Sequence, residues 1–276
     1  MEVRYSVTPF DEKQAQRLLE AGASDLVLGI ERLTLRSPGY FSREEMRNIT
    51  AQAHGAEATV TVRCNALLDE GGVGLFRKEL SFLEEIGVDR LLLLDVGAIH
   101  IWRTSGCRIP FYVDGETVLT SAEQCRFFTR IGAQGAILSR ELTEKEISRI
   151  KEGCDANIMV QAFGHTCLHH SKRKLLTIHG TKSKERIREA KTGKSYPVEE
   201  NAMGTHVYSA EVLLLDDRRF EELGIEELLL DGNAMDREEY EYLICKILRH
   251  ELLAEDLRTS GMDFGTGFFG REETVR

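Results

Sequence analysis

Proline is scarce in this chain, at 4 of 276 residues, and tryptophan occurs once. Neither figure fits a collagen-like, proline-rich or low-complexity protein. No window approaches the roughly 18 apolar residues needed to cross a bilayer, the best being Leu91–Leu94 with its neighbours, so no membrane span is expected. The opening Met-Glu-Val-Arg-Tyr-Ser-Val-Thr-Pro has no basic flank leading into an apolar run. That predicts no signal peptide and a cytoplasmic protein. The six cysteines (Cys64, Cys107, Cys125, Cys154, Cys167, Cys245) include no CxxC pair, which argues against a zinc ribbon or a disulfide framework. HExxH, GxSxG, GxxxxGK[ST] and a GxGxxG after a strand are all missing. Positive charge is in deficit, 36 Lys and Arg against 46 Asp and Glu, for a net charge of −10.

What is present is a repeated unit in which an amphipathic stretch closes on glycine and a short apolar run follows. It occurs at Leu18–Gly22 into Leu26–Leu28, Leu83–Gly87 into Leu91–Leu94, Phe128–Gly132 into Ala136–Leu138, and Phe220–Gly224 into Leu228–Leu230. Glycine just past a helix takes the left-handed conformation that closes the last turn, and a run apolar on both faces suits a buried parallel strand. Further strands are predicted at Tyr5–Thr8, Thr59–Cys64, Phe111–Val113 and Asn157–Ala162. Helices are expected to start at Asp11, Ser42 (capping box with Glu45), Ser121 and Thr143 (with Glu146). Eight strands alternating with seven or eight helices predict an α/β fold, a TIM-type (β/α)8 barrel, with an open doubly wound sheet as the alternative. One domain over residues 1–276 is expected.

Residues 168–206 break the alternation between strand seven and the last αβ unit. Within 172–194, nine basic residues stand against Glu185 and Glu189, a local charge of +7 on a chain that is otherwise −17. Such an inversion is either a footprint for a polyanion such as RNA or a solvated lysine-rich excursion. A Gly-rich, aromatic tail (256–276) is either docked or frayed.

Catalytic groups of a barrel stand at the C-terminal ends of its strands. This selects Thr8, Glu31, Arg63, Asn65, Asp95, Asp114, Arg140, Glu141, Gln161, Cys167 and Asp231. The densest group is Gln161-Ala-Phe-Gly164-His165-Thr-Cys167-Leu-His169-His170-Ser171-Lys172-Arg173-Lys174, read as the segment following strand seven. Its histidines and cysteine suit a metal site or a Cys/His pair, although no ligand spacing supports either. His54, beside Gly55, reads as a helix-end dipole partner, and Cys64, Cys107, Cys125 and Cys245 as small buried thiols.

The same segment resembles the signature of the collagenase-like peptidase U-32 family: Gly164 and Cys167 match in place, Ser171 matches a serine, and Leu176-Thr177 stands for a closing Leu-Ser. Leu26–Ile30, Arg36–Phe41, Leu138–Thr143 and Leu229–Asn233 resemble further family segments. The resemblance implies a TIM-type barrel and a role in oxygen-independent hydroxylation, above all 5-hydroxylation of the tRNA wobble uridine, with prephenate as a possible requirement. Cluster-bearing branches hold iron–sulfur on four cysteines. Here only Cys167 keeps a ligand position, Lys174 replaces the second cysteine, and Thr177–Asp231 contains none. The resemblance therefore points to a short branch without a cluster, acting on tRNA beside a longer cluster-bearing paralogue. On this reading Lys172, Arg173, Lys174, Arg36 and Arg140 bind RNA, while Cys167, Glu141, Asn65 and Asp231 carry the chemistry and Gln161, His165 and Arg63 hold the ligand. Cys154 or Cys245 are candidates to replace lost cluster ligands in space. The alternatives are a peptidase using Cys167 or a His165/His169/His170 metal with Glu141 as base, and a barrel gripping a carboxylate through Arg36, Arg63 or Arg140.

Overall fold

The computed structural model describes residues 3–116 and 118–272. Its elements run β1 (Arg4–Val7), α1 (Glu12–Glu20), β2 (Asp25–Gly29), α2 (Arg43–Gly55), β3 (Thr59–Cys64), α3 (Glu70–Glu85), β4 (Arg90–Leu93), α4 (Val96–Ser105), β5 (Phe111–Asp114), α5 (Ala122–Arg130), β6 (Gly135–Ile137), α6 (Glu144–Gly153) and β7 (Asn157–Ser171). Then come α7 (Leu175–His179), β8 (Lys184–Arg188), β9 (Ser195–Asn201), β10 (Gly204–Leu214), α8 (Asp217–Glu222), β11 (Glu227–Leu230), α9 (Arg237–Leu248), α10 (Ala254–Thr259) and β12 (Phe264–Gly265). Strands β1 to β7 pair in parallel in chain order, and β11 pairs in parallel with both β7 and β1, which closes an eight-stranded barrel. All eight strands predicted from the apolar runs are present.

Local chemistry explains the boundaries. Asp11, Ser42, Ser121 and Thr143 cap α1, α2, α5 and α6 as expected, with reciprocal capping boxes at Ser42/Glu45 and Thr143/Glu146. The four punctuating glycines, Gly22, Gly87, Gly132 and Gly224, all have positive φ. There a side chain would be strained, and the chain turns from helix to strand.

Strand alternation divides the barrel into two cores. Outward-facing residues such as Leu26, Leu28, Val60, Val62, Leu91 and Leu93 pack against the helices, while Val27, Leu92, Tyr112, Ile137, Met159 and Leu229 fill the interior. Below them, at the N-terminal end of the strands, Arg90 is held 3.0 Å from Asp25, paired with Glu227, and 4.4 Å over the Tyr112 ring. The Tyr112 hydroxyl donates to Glu227 at 2.8 Å. A Cβ at Gly135 would come within 2.7 Å of that ring, so glycine makes room for it. This ionic plug closes the bottom of the barrel and leaves the opposite end for function.

The region that reads as an irregular excursion is a sheet. Strand β7 does not stop near Ala162 but continues to Ser171, because β10 pairs antiparallel with it from Phe163 to Ser171. Strands β9 and β8 extend the ladder, and β12 joins the free side of β10. The tail is docked as far as it is described, to residue 272: Phe269 is buried, 4.9 Å from the Phe220 ring. No helix among the described residues is long and apolar enough to cross a membrane.

Candidate functional site

Six charged side chains from five separate loops and strand ends meet at the C-terminal mouth of the barrel. Arg63 on β3 lies 3.2 Å from Asp114 at the end of β5 and 3.2 Å from Asp231 just past β11. Its Nε faces Asp114 at ion-pair distance but outside hydrogen-bond geometry. Glu116, two residues beyond β5, is clamped by Arg36 from the β2–α2 loop and by Arg140, 2.6 Å away, from the β6–α6 loop. Asn65 ties the halves together, its amide donating to Asp114 at 3.0 Å and to Glu116 at 3.2 Å while its carbonyl accepts the Leu35 amide. Three guanidiniums and three carboxylates balance one another, which allows so many charges under cover.

Burial shapes their titration. Burial pushes the Asp114 carboxyl up, against the pull of Arg63. It acts on Glu116 in the same sense, but Arg140, Arg36 and Arg63 overcome it and hold that group well below the ordinary carboxylate range. Glu116 also has a φ of 60°, a left-handed backbone uncommon for a side chain of this size. The two arginines that fix its carboxylate sustain this local strain.

The extended β7 and β10 roof this network. Gln161 donates to the carbonyls of Phe163 and His165, and its Oε1 has no partner among the described residues. Gly164 has a φ of 109°, and a Cβ there would overlap the Asp231 carbonyl oxygen, so only glycine lets β7 cross so close to β11. Cys167 is the ladder partner of Tyr208, and its thiol donates to the His169 carbonyl at 3.3 Å. Burial raises its pKa despite Arg36 nearby.

His170 and His206 face each other across the ladder, their rings stacked at 4.8 Å and their Nδ1 atoms 3.3 Å apart. His206 Nε2 lies 3.3 Å from Asn201 Oδ1, whose own amide donates to the Leu35 carbonyl and the Tyr40 hydroxyl. The partners therefore assign a neutral His206 that donates through Nε2 and accepts from His170. Burial, Arg36 and His170 together lower His206 to about 3. Its unfolded counterpart takes up a proton near pH 6.5, so stability is whole above that pH and is lost as pH falls toward 3. From pH 7 to pH 5 the loss from this group is expected to be about 2 kcal/mol. Urea denaturation at the two pH values measures it, and a His206→Asn variant should show a shallower pH dependence.

The structure gathers Arg63, Asn65, Asp231, Arg36 and Arg140 into one network, with Gln161, Cys167 and His165 on the roof strand. Glu141 is exposed and outside it. Arg36 and Arg140, expected on the RNA surface, have side chains only 5% exposed and paired with Glu116. Lys172, Arg173 and Lys174 are exposed, as is all of β8. Lys184 and Lys194 pair with Glu199 and Glu211, whereas Lys172, Arg173, Lys174, Lys182, Arg188 and Lys191 form no ion pair among the described residues. The His165/His169/His170 metal site is not formed: His165 is buried, His169 exposed and His170 engaged with His206, and no three His, Cys, Asp or Glu side chains among the described residues could hold a metal ion. His54 finds a specific partner in Asp89, 2.9 Å away. Sequence reasoning misses Glu116, Tyr208, His206 and Asn233. The Asp114-Gly-Glu116 spacing past a strand end is the available signal for the first; the others need the β7–β10 pairing.

The residues do not fit an iron–sulfur cluster. Four thiolates must converge on it, and Cys167 stands alone on the roof strand. Cys64 and Cys125 lie in the layer between barrel and helices, with Cys154, Cys107 and Cys245 packed against that layer.

A closed (β/α)8 barrel with an ionic mouth and an antiparallel roof grown from its seventh strand places the protein in the class of TIM-type barrels. The sequence matches the profile of peptidase family U32 over residues 11–252, and the chain belongs to that family. It is 31% identical over 263 residues to tRNA hydroxylation protein P2 of Bacillus subtilis, covering 89% of this chain and 84% of that protein. It is 27% identical over 158 residues to tRNA hydroxylation protein P of Escherichia coli, covering 56% of this chain but only 35% of that longer protein. Among solved structures, the U32 peptidase Mk0906 superposes with a TM-score of 0.55 at 16% identity, over 83% of this chain and 92% of that one, a likeness of fold.

Proposed function

We propose that this protein acts in tRNA modification, in 5-hydroxylation of the wobble uridine, as the RNA-positioning partner of a longer cluster-bearing U32 paralogue in the cytoplasm. The observation that carries the reading is the similarity, along nearly the whole chain, to a tRNA hydroxylation protein of comparable length. Two physical features support it. The exposed Lys172-Arg173-Lys174 and the basic edge strand β8 give an acidic protein one cationic surface, mounted on the roof of the barrel mouth, and such a surface suits a phosphate backbone. The thiolate set for a cluster is missing from this chain, so the redox chemistry is assigned to the partner.

A peptidase reading has the family's name in its favour but no catalytic geometry: the Cys167 thiol is raised by burial and bonded to a carbonyl, where a nucleophile requires an activating base. A carboxylate grip would have to compete for Arg36, Arg63 and Arg140, each already paired with an acid. The test is nucleoside mass spectrometry of total tRNA from a host lacking this gene and from the same host with it restored. Loss of 5-hydroxyuridine derivatives and their return on restoration is the expected result; unchanged tRNA in a host with no second copy of the function overturns the reading.

A further inference from the structure

Two of the six cysteines are neighbours across a helix–helix contact. Cys125 lies in α5 and is 1% exposed. Cys154 directly follows α6, in extended backbone, and is partly exposed. The two thiols are within hydrogen-bonding reach of each other. Cys154 Sγ gives its own proton to the Ile150 carbonyl, 3.2 Å away, and so stands as the acceptor for Cys125. Contacts beside the pair hold it in place. Arg126 Nε donates to the Gly153 carbonyl at 2.8 Å, and a Cβ added to Gly153 would meet that of Ala122 at 2.7 Å, closer than two carbons can pack. Glycine at 153 therefore lets the end of α6 lie against the first turn of α5.

This arrangement separates the two roles of a redox pair. Cys125 is pushed up to about 12 by burial and then by the Cys154 thiol beside it, so it stays protonated at neutral pH as well as shielded from water. Cys154 is the sulfur within reach of a small oxidant.

We propose that the pair is a redox-sensitive modification site, at which a peroxide oxidises Cys154 and Cys125 then closes a disulfide between α5 and α6. As the thiolate, Cys154 attacks one oxygen of hydrogen peroxide; the O–O bond breaks, hydroxide leaves, and a sulfenic acid forms on the sulfur. The Cys125 sulfur displaces that hydroxyl, which departs as water with the Cys125 proton. Two thiols and one hydrogen peroxide thus give one disulfide and two waters, the sulfurs losing the two electrons that the peroxide gains. Reduction by an external thiol reverses the step, and disulfides of reducing compartments are commonly transient and redox-sensing in this way. The site does not rest on the RNA reading. The bond joins the helix that follows the loop of Glu116 to the helix that follows the loop of Arg140, the two residues paired at the mouth.

The test treats the reduced full chain with hydrogen peroxide, blocks remaining thiols with iodoacetamide, and maps the non-reduced peptides by mass spectrometry. Digestion combines trypsin with a protease cutting before Asp155, which parts Cys154 from Cys167. A link between Cys125 and Cys154 is expected as the main disulfide. The thermal midpoint should rise by about 5 °C, because the bond restricts the unfolded chain, and should return when dithiothreitol is added. Cys125→Ser should leave Cys154 as a sulfenic acid that dimedone labels, and Cys154→Ser should lose both the link and the rise. A link formed only after denaturation, disulfides dominated by other cysteines, or a midpoint that falls on oxidation overturns the inference.

Discussion

Replacing Arg63 with methionine is expected to destabilise the protein by about 3–5 kcal/mol and to lower its thermal midpoint by about 10 °C. Arg63 is 2% exposed and is the cation shared by Asp114 and Asp231, themselves 0% and 2% exposed. Removing it leaves two buried carboxylates without their counter-charge, and the cost is the penalty of uncompensated charge more than the loss of the attraction itself. The same argument predicts rescue. Arg63→Met combined with Asp231→Asn restores the balance, two guanidiniums against two carboxylates, at nearly constant volume and should recover most of the loss. Thermal unfolding followed by circular dichroism measures both; a double variant no more stable than the single one would show that Arg63 acts through packing instead of charge.

The second large effect is functional and leaves the fold intact. Lys172→Ala, Arg173→Ala and Lys174→Ala together should weaken tRNA binding at least tenfold near physiological salt, and should reduce the slope of log affinity against log salt by about 2–3, close to one for each phosphate no longer neutralised. All three side chains are exposed, and their nearby interactions run through the backbone, as where Thr205 accepts the Leu175 amide and donates to the Arg173 carbonyl. Stability should stay within about 0.5 kcal/mol of wild type. Filter binding or fluorescence anisotropy across a salt series checks this, and an unchanged slope would remove the phosphate role from this segment.

These two expectations separate the mouth, which is closed and electrostatically balanced, from the roof surface, which is open and cationic. That division is not apparent from sequence, where Arg36 and Arg140 read as equals of Lys172 and Lys174. An arginine at a strand end looks the same whether it faces solvent or a carboxylate far along the chain, as Arg36 faces Glu116. Likewise Gln161 to Ser171 reads as a segment beyond strand seven because its polar residues show no continuous apolar face. It is strand, since β10 pairs with seven of the nine residues from Phe163 to Ser171. Local composition carries no information about a strand that arrives from far downstream.

What the sequence determined by itself is the alternation of strands and helices. Helix caps, the glycines that end helices in a left-handed turn, and apolar runs of strand length are all set within a few residues of one another, and each acts through local sterics and hydrogen bonding. Repeated along the chain, they specify eight strands alternating with helices, while closure into a barrel instead of an open doubly wound sheet is decided by β11 pairing with both β1 and β7. Only the tertiary structure decided the site: which carboxylate neutralises which guanidinium, and that His206 is kept neutral beneath the roof. Those outcomes depend on desolvation and on distances between segments remote in sequence, and both exist only once the barrel has closed.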